Sequence, residues 1–193
     1  MKPIFSIWIK TRQTFQLIEN REEKENDFMI HILFFLTSMY GGFSMSFDIN
    51  KILGLQINYY FVLIISLIVS GLLGLFAYKY ILSYIIWGAG KIFQGKASIN
   101  EIRIALAYSI IPNLVHLLIG VILLIPAIII DNKGLIGYQH PITIYVLWFF
   151  ALRILVIGLA YFNKYSFGYA LLTVIIPAAI MQGLLFGIKF MIQ

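Results

Sequence analysis

The chain has 193 residues, of which 61% are hydrophobic and 11% charged, and its mean hydropathy is +0.93. A soluble domain averages about 45–50% apolar and about 25% charged residues, so this composition excludes a soluble globular protein. The net charge of +6 would suit a nucleic-acid-binding protein. However, the lysines and arginines stand between apolar runs, as in membrane proteins with basic cytoplasmic loops, and we expect no nucleic-acid partner.

Residues 1–27 predict a cytoplasmic tail in two parts. Residues 4–18 have helical spacing of apolar and small side chains on one face, and residues 19–27 carry dense mixed charge typical of a solvated connector. The face consists of Ile4, Trp8, Thr11, Phe15 and Ile18. A short amphipathic helix of this kind lies either on an anionic leaflet or against the base of a helix bundle, and the sequence leaves both placements open.

Residues 28–193 predict an all-α, polytopic transmembrane bundle with five spans. Crossing the hydrocarbon takes about twenty apolar residues, and backbone groups in lipid must be bonded within helices. The runs that qualify are approximately 28–47, 59–79, 103–130, 142–162 and 169–192. Apolar character continues beyond Lys79, so the second run is either one long tilted helix or a span ending near Tyr80 with an interfacial segment after it. We favour the second alternative.

The basic residues predict the orientation of the bundle. They gather before the first span, between the second and third, and between the fourth and fifth. These positions are Lys2, Lys10, Arg12, Arg21, Lys24, Lys79, Lys91, Lys96, Arg103 and Lys164. Cytoplasmic loops carry the excess of Lys and Arg, so we expect a cytoplasmic N-terminus.

A short internal repeat precedes the third and fifth spans. Residues 96–98 (Lys-Ala-Ser) and 164–166 (Lys-Tyr-Ser) are separated by the same offset as Gly90 and Gly158, and an apolar helix with Ile-Ile-Pro follows each. The match predicts two copies of one helical hairpin crossing in the same direction. Chance similarity between apolar stretches is the alternative.

Arg153 is the candidate binding residue of the fourth span. A mid-membrane arginine costs about 2.5–3.5 kcal/mol to insert and usually has a partner or a task. No acidic residue lies in any predicted span, so the expected partners are backbone carbonyls, polar side chains, or the anionic group of a lipid or ligand. Simple snorkelling to the interface is the alternative.

The third span carries a small and polar stripe that could meet Arg153. Ser109, Asn113 and His116 share one helical face, and Pro112 in this span and Pro177 in the fifth predict kinks that free backbone carbonyls. Together with Arg153 they predict a polar network or an anion or lipid site. Ordinary helix packing through small residues is the alternative.

Enzyme chemistry is not expected. All acidic residues fall in tails, loops or helix ends, and the chain has no metalloprotease, serine-hydrolase or phosphate-binding-loop motif. The chain has no cysteine, which excludes disulfides and thiolate metal sites. We therefore predict no catalytic residues, no metal and no cofactor.

Two stretches resemble the Yip1 domain family. The first is WGAGKIFQGKASINEIRIALAYSIIP, residues 87–112, with a glycine-containing turn, a Lys-x-Ser element and a helix reading A-Y-S-x-x-P; the second is IWIKTRQTFQLI, residues 7–18. The resemblance implies a five-span, non-enzymatic membrane protein that acts in membrane organisation or trafficking or as a partner-binding scaffold. A small transporter or channel with a site near Arg153 is the alternative function.

The resemblance also bears on location and partners. Eukaryotic members carry a longer cytoplasmic N-terminal region, so the short tail implies a prokaryotic member in the cytoplasmic (inner) membrane. Candidate partners are the lipid bilayer, an anionic lipid, a membrane or cytoplasmic protein, and a second copy of the chain.

Overall fold

The computed structural model describes residues 3–53, 58–136, 138 and 140–192, and every regular element within these ranges is helical. Five helical runs are long and apolar enough to cross a bilayer, which confirms the predicted all-α, five-span bundle. The runs, here called the first to fifth spans, are Glu23–Ser46, Tyr59–Ile92, Ile99–Ile129, Pro141–Asn163 and Phe167–Gly187.

The described ranges contain ten α-helices. They are α1 Pro3–Ser6, α2 Thr11–Glu19, α3 Glu23–Met39, α4 Gly41–Leu53, α5 Tyr59–Phe76, α6 Ser83–Ile92, α7 Ile99–Ser109, α8 Leu114–Ile129, α9 Pro141–Asn163 and α10 Phe167–Ile192. A π-helical segment, Ala77–Leu82, joins α5 to α6, and 3-10 turns occur at Ile111–Asn113 and Lys133–Leu135.

Residues 3–19, here called the N-terminal segment, pack against one end of the bundle, which we call the base. Phe15 and Ile18 have no exposed surface, and the Phe15 ring lies 5.5 Å from the ring of Phe162. A Cβ atom at Gly158 would come within 2.8 Å of the Phe15 ring, so this glycine lets the segment approach α9 closely. Of the two placements left open by the sequence, the structure has the segment packed against the bundle.

The second span is helical without interruption from Tyr59 to Ile92, so the residues after Tyr80 continue the same helix. Whether the membrane span itself ends near Tyr80 stays a prediction. The helix passes through a π-helical segment, which displaces backbone carbonyls from their usual partners. Two polar side chains take them up: Ser83 Oγ donates to the carbonyl of Tyr78 at 2.6 Å, and Arg103 Nε donates to that of Lys79 at 3.3 Å. These bonds explain how the helix tolerates the wider turn.

The third span is interrupted at Pro112, which has no N–H to donate to the helix. The chain forms a 3-10 turn over Ile111–Asn113 between α7 and α8. By contrast, Pro177 lies inside α10, which continues through it, as α8 does through Pro126. Of the two prolines predicted to kink their helices, Pro112 alone coincides with a change of helix type.

The two turns that carry the proposed repeat meet at the base. Ser98 and Ser166 each stand before a helix, and their hydroxyls accept hydrogen bonds from the N–H of Glu101 at 3.3 Å and of Tyr169 at 3.5 Å. Asn163 joins the turns, because its carbonyl and its Oδ1 accept from the N–H groups of residues 96 and 97 at 3.2 and 3.3 Å. Equivalent caps accord with a repeat, which stays a prediction.

Candidate functional site

Arg153 lies on α9 and holds the N-terminal segment. Its Nη1 donates a hydrogen bond to the carbonyl oxygen of Trp8 at 3.0 Å, at the point where the chain leaves helical geometry between α1 and α2. The neighbouring carbonyl of Ile7 accepts from Thr11 Oγ1 at 2.7 Å. A helix break in an apolar setting leaves carbonyls that need donors, and these two side chains supply them.

The buried hydroxyls of the N-terminal segment are bonded inside the segment. Thr14 Oγ1 donates to Ser6 Oγ at 2.9 Å, and Ser6 Oγ donates to the carbonyl of Pro3 at 3.4 Å. Both side chains are buried together with Thr11. Since buried polar groups without partners are costly, this bonding lets the segment pack among apolar residues.

The structure does not bring Arg153 to the predicted partners in the third span. Ser109 Oγ donates to the carbonyl of Leu106 in its own helix at 2.7 Å, and the His116 ring packs 5.3 Å from the ring of Tyr40. Asn113 and His116 line a lateral cavity of about 570 Å³ between the first three spans and Ile144 of the fourth, and Arg153 is not among its lining residues. The expected meeting of Arg153 with Asn113 and His116 is therefore corrected.

The physical reason lies in the rotation of α9. Ile154, which has no exposed surface, faces the core, and Arg153 lies about 100° round the helix from it. That direction leads to the N-terminal segment, whose Trp8 ring packs 5.4 Å from Phe150. No local pattern in the sequence signals that contact.

Arg153 opens onto a groove between the N-terminal segment and α9. The groove has two adjoining cavities, of about 330 Å³ and about 600 Å³, which share Arg12 and Ile157 in their lining. The remaining lining residues of the smaller cavity are Ile9, Lys10, Thr11, Gln13 and Arg153, and those of the larger one are Ala160, Tyr161, Lys164, Tyr165 and Phe167. We call this surface the basic groove, because among its described lining residues the charged ones are all Lys or Arg.

The far end of the basic groove is fixed by hydrogen bonds around Asn163. Asn163 Nδ2 donates to the hydroxyl of Tyr165 at 3.2 Å, and that hydroxyl also bonds Thr173 Oγ1 at 2.9 Å. Burial raises the pKa of Tyr165 above its ordinary value of 10.0, so the phenol stays neutral at physiological pH. Lys164 between them adopts the left-handed conformation with φ 57°, and its Nζ lies 4.6 Å from the centre of the Tyr161 ring.

A second polar cluster at the base was missed in the sequence. Lys79 lies in the π-helical segment. Its Nζ is 2.6 Å from Nε2 of His31 and 3.6 Å from a carboxylate oxygen of Asp27. His31 Nδ1 also lies 2.6 Å from the carbonyl oxygen of Asp27. A lysine inside an apolar run and a histidine four residues after an aspartate were the available signals for this cluster.

A third cavity at the base, of about 360 Å³, is lined largely by acidic and amide side chains. We call it the acidic cavity; its polar lining residues are Glu19, Arg21, Glu23, Asn26, Asp27, Ser98, Asn100 and Glu101. Asn26 Nδ2 donates to the carbonyl of Ile18 at 2.9 Å, whereas its buried Oδ1 has no hydrogen-bond partner among the described residues. Within the same residues no group of three or more His, Cys, Asp or Glu could hold a metal ion.

The comparison with family models agrees with this architecture. The model of the Yip1 domain matches residues 5–188, which is nearly the whole chain. No curated protein and no solved structure matches the chain. The match begins in the N-terminal segment and includes all five spans, so the segment that Arg153 holds is part of the domain. The chain belongs to the Yip1 domain family and is an integral membrane protein.

Proposed function

We propose that this protein is a non-enzymatic scaffold that organises its membrane or takes part in trafficking by binding partners at the base. The observation that supports this most is the separation of its polar groups. The Arg153 guanidinium bonds the N-terminal segment, while Asn113 and His116 line a different, lateral cavity. A transport site needs polar groups that converge on one place within the bundle.

The base offers surfaces of both signs for partners. The basic groove carries Lys10, Arg12 and Lys164, whereas the acidic cavity carries four carboxylates and one arginine. Charge complementarity gives specificity and faster encounter, so a basic segment of a protein partner suits the acidic cavity. The partner is a membrane or cytoplasmic protein or a second copy of the chain, and we place the base on the cytoplasmic side of a prokaryotic membrane.

The test is photo-crosslinking in native membranes from Asn20, an exposed residue at the base. The matched control position is Ile129, which is 76% exposed at the opposite end of the third span. We expect a discrete protein adduct from Asn20 and lipid adducts from Ile129. Reversing charge with Glu23→Lys in the acidic cavity should remove the adduct; an adduct that survives this change, or none at all, argues against the partner site.

A small transporter or channel is the second candidate, and the lateral cavity lined by Asn113 and His116 favours it. Proteoliposomes loaded with potassium, chloride or phosphate test this function directly. The scaffold proposal expects fluxes equal to those of protein-free vesicles. A flux that His116→Leu abolishes would replace the scaffold with the transporter.

A further inference from the structure

We infer that the basic groove binds the phosphate-bearing headgroup of an anionic phospholipid that enters from the side of the bilayer. The inference goes beyond the scaffold role and is independent of it, since a transporter with this groove would bind the same lipid. Four observations support the inference. They are the charge of the groove, the free donors of Arg153, the course of the groove along α9, and the apolar edges of the groove.

The positive charge of the groove exceeds the negative charge beside it. The nearby carboxylate of Glu19 accepts a hydrogen bond from the hydroxyl of Tyr161, which leaves the four cations of the groove without an ion-pair partner among the described residues. These cations are Lys10, Arg12, Arg153 and Lys164. Like charges gathered in a surface of low dielectric repel one another. An anion in the groove would relieve this repulsion, and phosphate is one of the anions whose geometry matches the guanidinium fork of arginine.

Arg153 has donors to spare. A guanidinium carries five N–H donors in a planar fork. Among the described residues, Arg153 donates one hydrogen bond, to the carbonyl of Trp8. The side chain is half-buried and lines the smaller cavity. Its remaining donors therefore need acceptors, which a phosphate lying in the groove would supply.

The groove follows α9 from its end into the span. Arg153 precedes Asn163, the last residue of α9, by ten positions, which is about 15 Å along the helix. The headgroup layers add only about 5–8 Å to each side of the hydrocarbon core. In this proposal Lys164 lies at headgroup level, and the groove runs from there along α9 to Arg153, towards the acyl chains, where fewer water molecules compete as acceptors.

The edges of the groove are apolar. Ile9 is 80% exposed and Phe167 is 57% exposed, and Ile157 and Ala160 lie on its floor. A site for a small soluble anion has no need of such edges, whereas acyl chains attached to a headgroup would cover them. The cavity volumes of about 330 and about 600 Å³ also lie in the range of about 300–1,000 Å³ typical of small-molecule sites.

The test is native mass spectrometry of the full chain released from nanodiscs of equal parts phosphatidylglycerol and phosphatidylcholine. The variant is Arg12→Gln with Lys164→Asn, which leaves the Arg153–Trp8 bond in place and puts at 164 a residue that tolerates left-handed geometry. The matched control, Lys24→Gln with Lys96→Gln, removes two cations of the base that do not line the groove.

We expect the wild type and the control to retain phosphatidylglycerol at least tenfold over phosphatidylcholine, and the groove variant to fall to near parity. Retention should persist at 0.5 M salt, where diffuse attraction is screened, and millimolar inorganic phosphate should not displace the lipid. Equal loss in both variants, absence of any preference in the wild type, or full displacement by inorganic phosphate would each overturn the inference. Melting temperatures of both variants show whether they are folded, and a variant that fails to fold is replaced by Lys10→Gln with Arg12→Gln.

Discussion

Arg153 Nη1 and the carbonyl oxygen of Trp8 are joined by a 3.0 Å hydrogen bond across 145 positions of sequence. The bond links the fourth span to the break in the N-terminal segment, at the level where Trp8 packs on Phe150. It thus gives an arginine of the fourth span a structural task, while the same side chain also lines the basic groove. Loss of this side chain should therefore weaken the packing of the N-terminal segment against the bundle.

Arg153→Leu should therefore loosen the N-terminal segment. The substitution leaves the Trp8 carbonyl without its donor, which costs about 1–3 kcal/mol for a buried group. We expect a lower melting temperature and faster maleimide labelling of a cysteine placed at Ser6, which is buried in the wild type. Arg12→Leu is the control, since its side chain is exposed. Equal labelling in both variants would show that the bond does not hold the segment.

Lys79→Met should destabilise the contact between the first and second spans. The change removes the cation that lies 2.6 Å from His31 Nε2 and 3.6 Å from Asp27, at a cost of about 1 kcal/mol for a partly exposed bond. The measurement is the melting temperature in nanodiscs. Lys24→Met, at an exposed position of the first span, is the control and should change it less. The opposite order would contradict a stabilising role for this cluster.

The five spans could be predicted because a run of twenty apolar residues is a signal contained in the sequence itself. The partner of Arg153 could not, because it is a backbone carbonyl brought near by tertiary packing. Helical spacing predicts which side chains of the third span share one side, but it does not say which neighbour that side meets. The 3-10 turn at Ile111–Asn113 further breaks the regular rotation on which the predicted stripe of Ser109 and His116 depended.

The sequence left the end of the second helix open for a related reason. Lys79 interrupts an apolar run, and a charge at that place ordinarily marks the membrane interface. In the structure the helix continues, because Ser83 and Arg103 take up the carbonyls of the π-helical segment. Where the membrane boundary falls along Tyr59–Ile92 stays a prediction.

The orientation of the bundle is open to a labelling experiment. The chain has no cysteine, so each introduced cysteine reports the exposure of one site. Two positions, Asn20 and Asn100, are exposed at the base, and two others, Asp48 and Asn132, are exposed at the opposite end. The excess of basic residues at the base predicts that it faces the cytoplasm. An impermeant maleimide added to intact cells should label positions 48 and 132 and spare 20 and 100; the reverse pattern would invert the topology.

Gly95 and Gly88 provide a matched pair for the contact between the two turns. A Cβ atom at Gly95 would lie 2.1 Å from Asn163 Oδ1 and 2.8 Å from the carbonyl oxygen of Gly90, whereas a Cβ at Gly88 would meet nothing within 4 Å. Gly95→Ala must therefore push the Asn163 side chain away and weaken the hydrogen bond that its Oδ1 accepts from the N–H of Ala97. Overpacking of this kind costs about 1–3 kcal/mol in stability.

Gly88→Ala, in the middle of α6, should instead stabilise the protein by about 0.5–1 kcal/mol, because alanine loses less backbone entropy in a helix than glycine does. The two alanine variants should thus shift the melting temperature in opposite directions. Asn163→Ala combined with Gly95→Ala tests the cause. It removes the clash with Asn163 Oδ1 and leaves only the contact with the Gly90 carbonyl oxygen, so the double variant should lose less than the sum of the two single changes. Additive losses would mean that Gly95 is required for a reason other than its contact with Asn163.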